Sequence, residues 1–490
     1  VIKANCLLEL KSFTFMTGHI PREEKMSVAD AITSVLGTDS FADYERSVYE
    51  MYQQKAEQEI AEMLNLLLSS MPFLLVLKQW AAKTACRFHG FRDITIRLKS
   101  GRSYTVRSPV FLKAKPKRKR GRAPKRHKGA LRHLGLELVG IINQVSPALV
   151  EVCVSMAVLC PSFEVAAHAL QGFGIRMNQH LLQNLTRRFA DLAMKVRFSC
   201  FSSEVWRKPG LKILICVDGG RFRARKPKRG KRKKDQKRQG FHSDWVEPRL
   251  LTISQFDQQG KKIRSISPII DGSSGSMDDF FDLLEQHLLQ LNLEDASEIV
   301  FCADGGPGIW PRIDNLIDEL KIPEAKRILD YTHAKQNIAM ILESISKALK
   351  LSHKETEKLS MQIKEKLWNG DIDRISDMVK ERLSGKRKAL KAALKKLGTY
   401  FGDRCRFQYR AFRENGLPTG SGTVESAIRR VINLRVKGAG MFWKRENAEK
   451  MIFLRSLVLT GKLKTACNKA LGVVRDMFAN DTLDDLSVAA

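Results

Sequence analysis

Leu211-Lys212-Ile213-Leu214-Ile215-Cys216-Val217-Asp218-Gly219-Gly220 is a short apolar run closed by an acid and two glycines. A run of this length, ended by turn residues, predicts a buried strand. The design returns downstream, where Glu298 to Ala303 is followed by Asp304-Gly305-Gly306. Between the two, Leu250 to Phe256 and Ile263 to Ile270 read as strands and Met277 to Leu291 as a helix. After Asp304 come another helix and a strand, Ala325 to Leu329, which ends at Asp330. The order strand-strand-strand-helix-strand-helix-strand predicts an α/β fold with a mixed sheet. Ala334 to Lys396 is helical in spacing and highly charged, Gly416 to Gly422 reads as a loop, and a helix runs from Thr423 to about Arg435. The helical block therefore interrupts what would otherwise be one α/β unit.

Upstream, residues of about 27–88 carry helical spacing, for example Ile60, Met63, Leu64 and Leu67. Met63 to Leu77 reads as a buried helix and its end at Pro72. Ile94, Ile96 and Leu98 alternate with polar residues, Ser100-Gly101 makes a turn, and Tyr104 and Val106 continue a return strand. Lys113 to Lys128 holds ten Lys or Arg and no acid, broken by Pro116, Gly121 and Pro124, which predicts a flexible basic linker. Arg120-Gly121-Arg122 within it approaches a minor-groove hook, although Ala123 spoils the pattern. Ser162 to Gln171 reads as a helix, Gly172-Phe173-Gly174 as a turn, and a second helix carrying Arg187 and Arg188 starts near Asn178, a good N-cap. This pair is compatible with a DNA-reading helix-turn-helix and equally with two packed helices.

The domains expected are a mainly helical N-terminal region (1–92), a β-hairpin (93–112), a basic linker (113–135) and a helical, possible helix-turn-helix domain (136–205). A catalytic domain (211–335 and 416–460) follows, split by a helical insertion (336–415), with a C-terminal tail (461–490).

Lys plus Arg number 85 against 53 Asp plus Glu, a net charge of +32. A balance this basic points to a polyanion, most often nucleic acid. No apolar run approaches the roughly 18–20 residues needed to span a bilayer, so no membrane partner is expected. The linker and a second run, Arg221 to Arg238 with twelve Lys or Arg and one acid, together carry +21 of the total. Charge gathered in such arms binds phosphate backbones with little sequence information. The nine cysteines form no Cys-x-x-Cys pair, which predicts reduced thiols, a cytoplasmic setting and no zinc site.

Ligands of open α/β sheets gather outside the carboxyl ends of the strands. Two aspartates meeting there repel each other unless a cation lies between them. Mg²⁺ accepts carboxylate and phosphate oxygens, and a pair of ions about 3.5–4 Å apart can activate a nucleophile and stabilise a leaving oxygen. Asp-Gly alone is first a turn signal. Its repetition in one unit of a basic chain is what points to a metal. Glu425 follows Gly416-Leu417-Pro418-Thr419-Gly420-Ser421-Gly422-Thr423-Val424, in a first helical turn where the macrodipole alone would favour an acid.

Together, Asp218 in Asp-Gly-Gly, Asp304 in Ala-Asp-Gly-Gly-Pro-Gly-Ile-Trp and Glu425 in Gly-Ser-Gly-Thr-Val-Glu-Ser resemble bacterial insertion-sequence transposases of the DDE type. Gly440-Met441-Phe442-Trp443 with Glu446-Asn447-Ala448 is similar to the segment that follows the catalytic Glu there. Leu329-Asp330-Tyr331-Thr332-His333 resembles the Asp-x-x-His signature of Mutator-like and related groups. The resemblance covers residues of about 140–460. It implies an RNase H-like fold with an all-helical insertion: the first Asp on the first strand, the second just after the fourth, and the Glu on a late helix. It also implies Asp218, Asp304 and Glu425 as catalytic ligands of two Mg²⁺ or Mn²⁺ ions, double-stranded DNA (element ends and target) as substrate, and a homodimer or larger assembly. The 121 residues from Asp304 to Glu425 fit the insertion.

Around these acids, Asp330 and His333 are candidates to support the site. Trp310 is a candidate to stack on an unpaired base, with core packing the favoured alternative. Arg429, Arg430 and Arg435 are candidates for DNA phosphate, though they cannot all face one way. A silent DNA-binding descendant of a transposase, and an RNase H-fold nuclease or resolvase, share the same residues. The first would bind DNA without nicking it, and the second would cut without joining.

Overall fold

The computed structural model describes residues 40–113, 131–201, 210–230, 239–291, 293–306, 308–322 and 324–472. Helix α1 (Phe41–Ser69) exposes Tyr49, Met63 and Leu66, so the expectation of a buried helix from Met63 onward is corrected. Pro72 does not end a helix. It opens the next one, α2 (Met71–Lys83), where a missing N–H costs nothing, and this helix buries Leu74, Leu77 and Trp80.

Strands β1 (Cys86–Arg97) and β2 (Ser103–Lys113) pair antiparallel, and β3 (Leu131–Arg132) adds to β2. The hairpin is longer than its alternating centre predicts and begins inside the segment read as helical. The register shifts between Phe88 and Phe91, at Gly90 with φ of +91°, a bulge that hides the period of two. Of the basic linker, 114–130, with the hook residues Arg120 to Lys125, lies outside the described residues. The rest is strand and the start of α3 (Leu134–Leu138). Leu74, Leu77, Trp80, Phe111 and Leu134 form a small core of their own.

Helix α4 (Pro147–Leu159) is apolar nearly all round and buried. The expected helix pair is α5 (Phe163–Gly172) and α6 (Gln179–Ala193), capped by Ser162 and by Asn178, whose side chain accepts from the Leu181 N–H at 2.8 Å. Leu182, Leu185 and Phe189 of α6 join a hydrophobic core that continues through the sheet.

The sheet contains β4 (Lys212–Gly219), β7 (Arg249–Phe256), β8 (Ile269–Ser273), β9 (Glu298–Ala303) and β10 (Lys326–Leu329). Between β4 and β7 stands a separate hairpin, β5 (Phe222–Pro227) with β6 (Phe241–Val246). In space the order is β10-β9-β4-β7-β8. β10, β9 and β4 run parallel, while β7 is antiparallel to both β4 and β8. This is a mixed five-stranded sheet. Its third strand is shorter than the expected Ile263–Ile270 and lies later.

Helices α7 (Met277–Leu288) and α8 (Ile309–Glu319) flank β9 in sequence. Then come α9 (Tyr331–Leu349), α10 (His353–Asn369), α11 (Ile372–Arg382), α12 (Arg387–Tyr400) and α13 (Tyr409–Glu414), the helical block foreseen from the charge pattern. Its end returns to the sheet: the Tyr409 hydroxyl donates to the Leu329 carbonyl at 2.9 Å. Helix α14 (Gly422–Ile428) passes into a π-turn (Arg429–Asn433), and α15 (Arg445–Leu459) follows. Residues 463–472, expected to be tail, are helical and bury Leu463, Ala466 and Leu471. No single helix among the described residues is long and apolar enough to cross a membrane.

Candidate metal centre

Val217 of β4 is directly opposite Ala303 of β9 in a parallel pair. The next residue on each strand is an aspartate, so Asp218 and Asp304 leave the sheet side by side, one strand spacing (about 4.8 Å) apart. Alternation places Asp218 on the same face as Cys216 and Asp304 on the same face as Cys302. α14 covers that face: the Thr423 hydroxyl lies 3.0 Å from the Thr252 hydroxyl and 3.4 Å from Cys216 Sγ. Glu425, two residues on, is brought over the strand ends and stays exposed. Asp218 and Asp304 both line one cavity of about 190 Å³ with Arg221, Glu247 and Arg249.

The electrostatics agree with crowding of like charges. Burial pushes the Asp218 carboxyl up to about 6, and Asp304 and Glu425 add to it, against the Gly219 N–H and His333. Asp218 Oδ1 accepts from the Gly219 N–H at 2.6 Å, and Asp304 Oδ1 from the Gly306 N–H at 3.0 Å. Neither second oxygen has a hydrogen bond from a described residue.

Asp330 differs. It caps α9 and is buried, with Oδ1 accepting from the His333 N–H at 2.9 Å and Oδ2 from the Ser421 N–H. Burial opposes its ionisation, but His333 and the Ser421 N–H hold its carboxyl well below the usual range. His333 Nδ1 lies 3.2 Å from Asp330 Oδ1, within ion-pair reach but misaligned for a hydrogen bond, so this buried nitrogen has no hydrogen-bond partner among the described residues. Contact with Asp330 raises the His333 pKa, and Asp218 and Asp304 add to the rise. Asp330, His333 and Glu425 bring one donor atom each within 4.8 Å of one another. Glu425 therefore stands between two groups: the strand-end pair, and Asp330 with His333.

Trp310 packs in the core, the alternative favoured for it, and Arg435 as a phosphate contact is corrected. Trp310 is 5% exposed, its indole N–H donates to the Asp304 carbonyl at 2.9 Å, and the Arg406 guanidinium lies 4.2 Å from its ring centroid. It braces the Asp304 turn and has no face open to a base. Arg435 is 2% exposed, its guanidinium is 4.9 Å from the Phe163 ring and 5.3 Å from Trp443, and it donates to the Ala157 carbonyl. Burial lowers its pKa to about 10, with Arg455 adding to the effect, and it cannot reach a phosphate. Arg429 is exposed. The π-turn rotates Arg430 toward a different depression, lined by Lys262, Thr423 and Ser426. Glu247, Arg221 and Arg249 were not singled out in the sequence. Their place follows from β7 returning beside β4, with the Gly220 N–H donating to the Pro248 carbonyl at 2.9 Å.

No family model matches the chain, and no curated protein sequence matches it. Among solved structures, it is similar to a chain described as "Drosophila P element transposase strand transfer complex" at 11% identity and a TM-score of 0.28, covering 64% of this chain and 92% of that one. A likeness at that level carries nothing over to function.

Proposed function

We propose that the chain is a DNA transposase built on an RNase H-like sheet, with Asp218, Asp304 and Glu425 as ligands of Mg²⁺ or Mn²⁺. The observation that carries this is the adjacency of two aspartates at the carboxyl ends of neighbouring parallel strands, one on the first strand of the sheet and one just after the fourth, with Glu425 on the helix above them. The sequence motifs around these acids, which resemble DDE transposases, supply the substrate.

The donor set fits a hard cation: oxygen ligands, two of them with an uncommitted oxygen, where burial first and the neighbouring acids second raise the Asp218 carboxyl to about 6, so that a counter-charge would be favoured. Bound there, such ions activate an attacking oxygen and stabilise a leaving one. The chain's own residues do the positioning. Asp330 ties the Glu425 loop to the strand end. His333, whose pKa is raised by contact with Asp330, is within electrostatic reach of Asp218 and Asp304. Arg221 and Arg249 line the cavity wall, where a scissile phosphate needs cations. In this reading water cleaves a phosphodiester at each element end, and the freed 3′-OH then displaces a phosphodiester of target DNA, each step breaking one P–O bond and forming another. Two ends must be held at once, so the working form is a dimer or larger.

The experiment uses DNA flanking the chain's own coding sequence as donor and a supercoiled plasmid as target, with Mg²⁺. Wild type is expected to nick the donor ends and join them to the plasmid. Asp218→Asn and Glu425→Gln are expected to lose both activities by at least 10³-fold, an effect of the size seen when electrostatic stabilisation is removed. Retained nicking in Asp218→Asn would sink the assignment. Nicking without joining would favour a nuclease.

A further inference from the structure

β5 starts four residues after Asp218, and β6 ends one residue before Glu247, so the hairpin grows directly out of the cavity rim. Its register pairs Arg223 with Trp245, Arg225 with Ser243 and Pro227 with Phe241. Directly opposed residues share a face, so these six side chains point one way. The other face carries Phe222 and Ala224, both buried, and the Lys226–Asp244 ion pair at 2.6 Å. The hairpin's one described acid, Asp244, is thus on the side away from Trp245 and Phe241.

A third segment continues the aromatic face. The Trp443 N–H donates to the Arg223 carbonyl at 3.0 Å and the Arg225 N–H to the Trp443 carbonyl at 2.9 Å, which lays residues 442–443 along β5. Phe442 then meets Phe241 with ring centroids 5.2 Å apart. The Arg223 guanidinium lies 4.7 Å from the Phe442 centroid and 5.8 Å from that of Trp245. Trp245 remains 58% exposed and Phe241 40%. Rings this large are seldom left in water without a partner. Arg187 of α6 reaches the same neighbourhood. Its guanidinium is held below the usual range by burial first and by Arg225 second.

We infer that this face is a stacking platform for the unpaired nucleotides of a DNA strand leaving the metal centre, with Trp245 and Phe241 taking base faces and Arg223 and Arg225 taking phosphates. The inference rests on the proposed activity for its location and deepens it by naming where the cleaved strand goes. The chemistry selects the ligand. Aromatic rings stack on any base and arginines neutralise the backbone. Among the described hairpin residues the one acid, Asp244, lies on the opposite face, so the acids near a passing strand are Glu247 at the cavity rim and Glu446 near Arg187. At about 3.3 Å per residue, Trp245 stands roughly 7 Å along the strand from Glu247 and Phe241 some 13 Å further, a span of several nucleotides. A buried Trp310 cannot serve this role, and an exposed Trp245 can.

The test is equilibrium binding of the full chain, in EDTA, to a fluorescein-labelled 20-base-pair duplex with either a blunt end or a four-nucleotide unpaired 3′ tail. Wild type is expected to prefer the tailed duplex by about ten-fold, the scale of one or two stacked bases. Trp245→Ala and Phe241→Ala are expected to reduce the preference to two-fold or less with thermal midpoints unchanged, and Trp245→Phe to keep most of it. Equal wild-type binding to the two duplexes, or full preference in a folded Trp245→Ala, overturns the platform. So does a loss of self-association in Trp245→Ala by sedimentation with DNA preference intact, which would give the face to a second copy. Catalysis is read separately: tail preference without any nicking by wild type leaves the platform standing and removes the transposase reading, whereas nicking without tail preference does the reverse.

Discussion

Asp218-Gly219 and Asp271-Gly272 are the same dipeptide in two strands of one sheet, the first closing β4 and the second in the middle of β8. Their surroundings differ. Asp271 is fully buried, with Oδ1 2.6 Å and Oδ2 2.7 Å from the Arg197 guanidinium and Oδ2 2.8 Å from His287 Nε2. Burial opposes its ionisation, but Arg197 and His287 hold its carboxyl at about 2. Asp218 is pushed up to about 6 by burial first, with Asp304 and Glu425 adding to it. A carboxylate ion-paired inside the fold is a strut, and Asp218 has no such ion pair among the described residues.

The largest effect expected from this contrast is on stability. Asp271→Asn removes the closer carboxylate of a buried guanidinium, leaving it only Glu449 at 3.9 Å, and should cost about 3 kcal/mol in urea unfolding. Asp218→Asn relieves repulsion and should cost nothing in EDTA. A substantial loss in Asp218→Asn, or none in Asp271→Asn, would break the distinction. Acid titration sharpens it. Because the folded pKa of Asp271 lies below the ordinary 3.8, its stabilisation is whole above about pH 4 and drains away as the pH falls toward 2. The acid limb of wild-type stability should therefore be shallower in Asp271→Asn.

An intermediate effect separates two glycines of the Asp-Gly-Gly turns, the second of the first turn and the first of the second. A Cβ on Gly220 would stand 2.6 Å from Cδ1 of Ile432, a fully buried side chain on the π-turn that continues the Glu425 helix. At Gly305 the nearest atom is 3.5 Å away and φ is not positive. Gly220→Ala should lower strand transfer at least ten-fold by shifting Glu425, while Gly305→Ala should stay within about two-fold, as expected where Ala fits without strain. Side-by-side rate measurements on the two variants decide it. The smallest effect is expected for Trp310→Phe, which removes one hydrogen bond to the Asp304 carbonyl, worth about 1 kcal/mol. A few-fold loss of rate with unchanged metal dependence is the expected reading.

The strands that could be read in advance were those where burial on both faces makes the residue pattern unmistakable, such as Ile299 to Ala303 and Ile213 to Val217. Asp218 and Asp304 were legible because a strand end followed by two glycines is a local feature. Asp271 was passed over although it shares half of that signature, and nothing local marks Arg197, 74 residues earlier, as its partner. The basic run after Asp218 looked like a solvated arm because its charge conceals a period of two. Phe222 and Ala224 are buried while Arg223 and Arg225 face outward, a half-buried strand written in arginine. Trp310 and Arg435 failed as surface residues for one reason. Amphipathic side chains carry enough apolar area to be drawn inside once a single carbonyl takes their N–H groups.

Asp330 fastens two points 91 residues apart, accepting from the Ser421 N–H just before Glu425 while capping the helix that opens the excursion. The entrance and exit of the helical block are thereby stitched together at one carboxylate. Chain length within such a closed loop is nearly free, since each doubling costs only about 0.6 kcal/mol. The distance in sequence from Asp304 to Glu425 is consequently not a property of the chemistry. Kin of this chain are better sought by the Asp330 stitch and its two flanking signatures than by any fixed interval between acids, and the block between them is where grafting or trimming would be tolerated first.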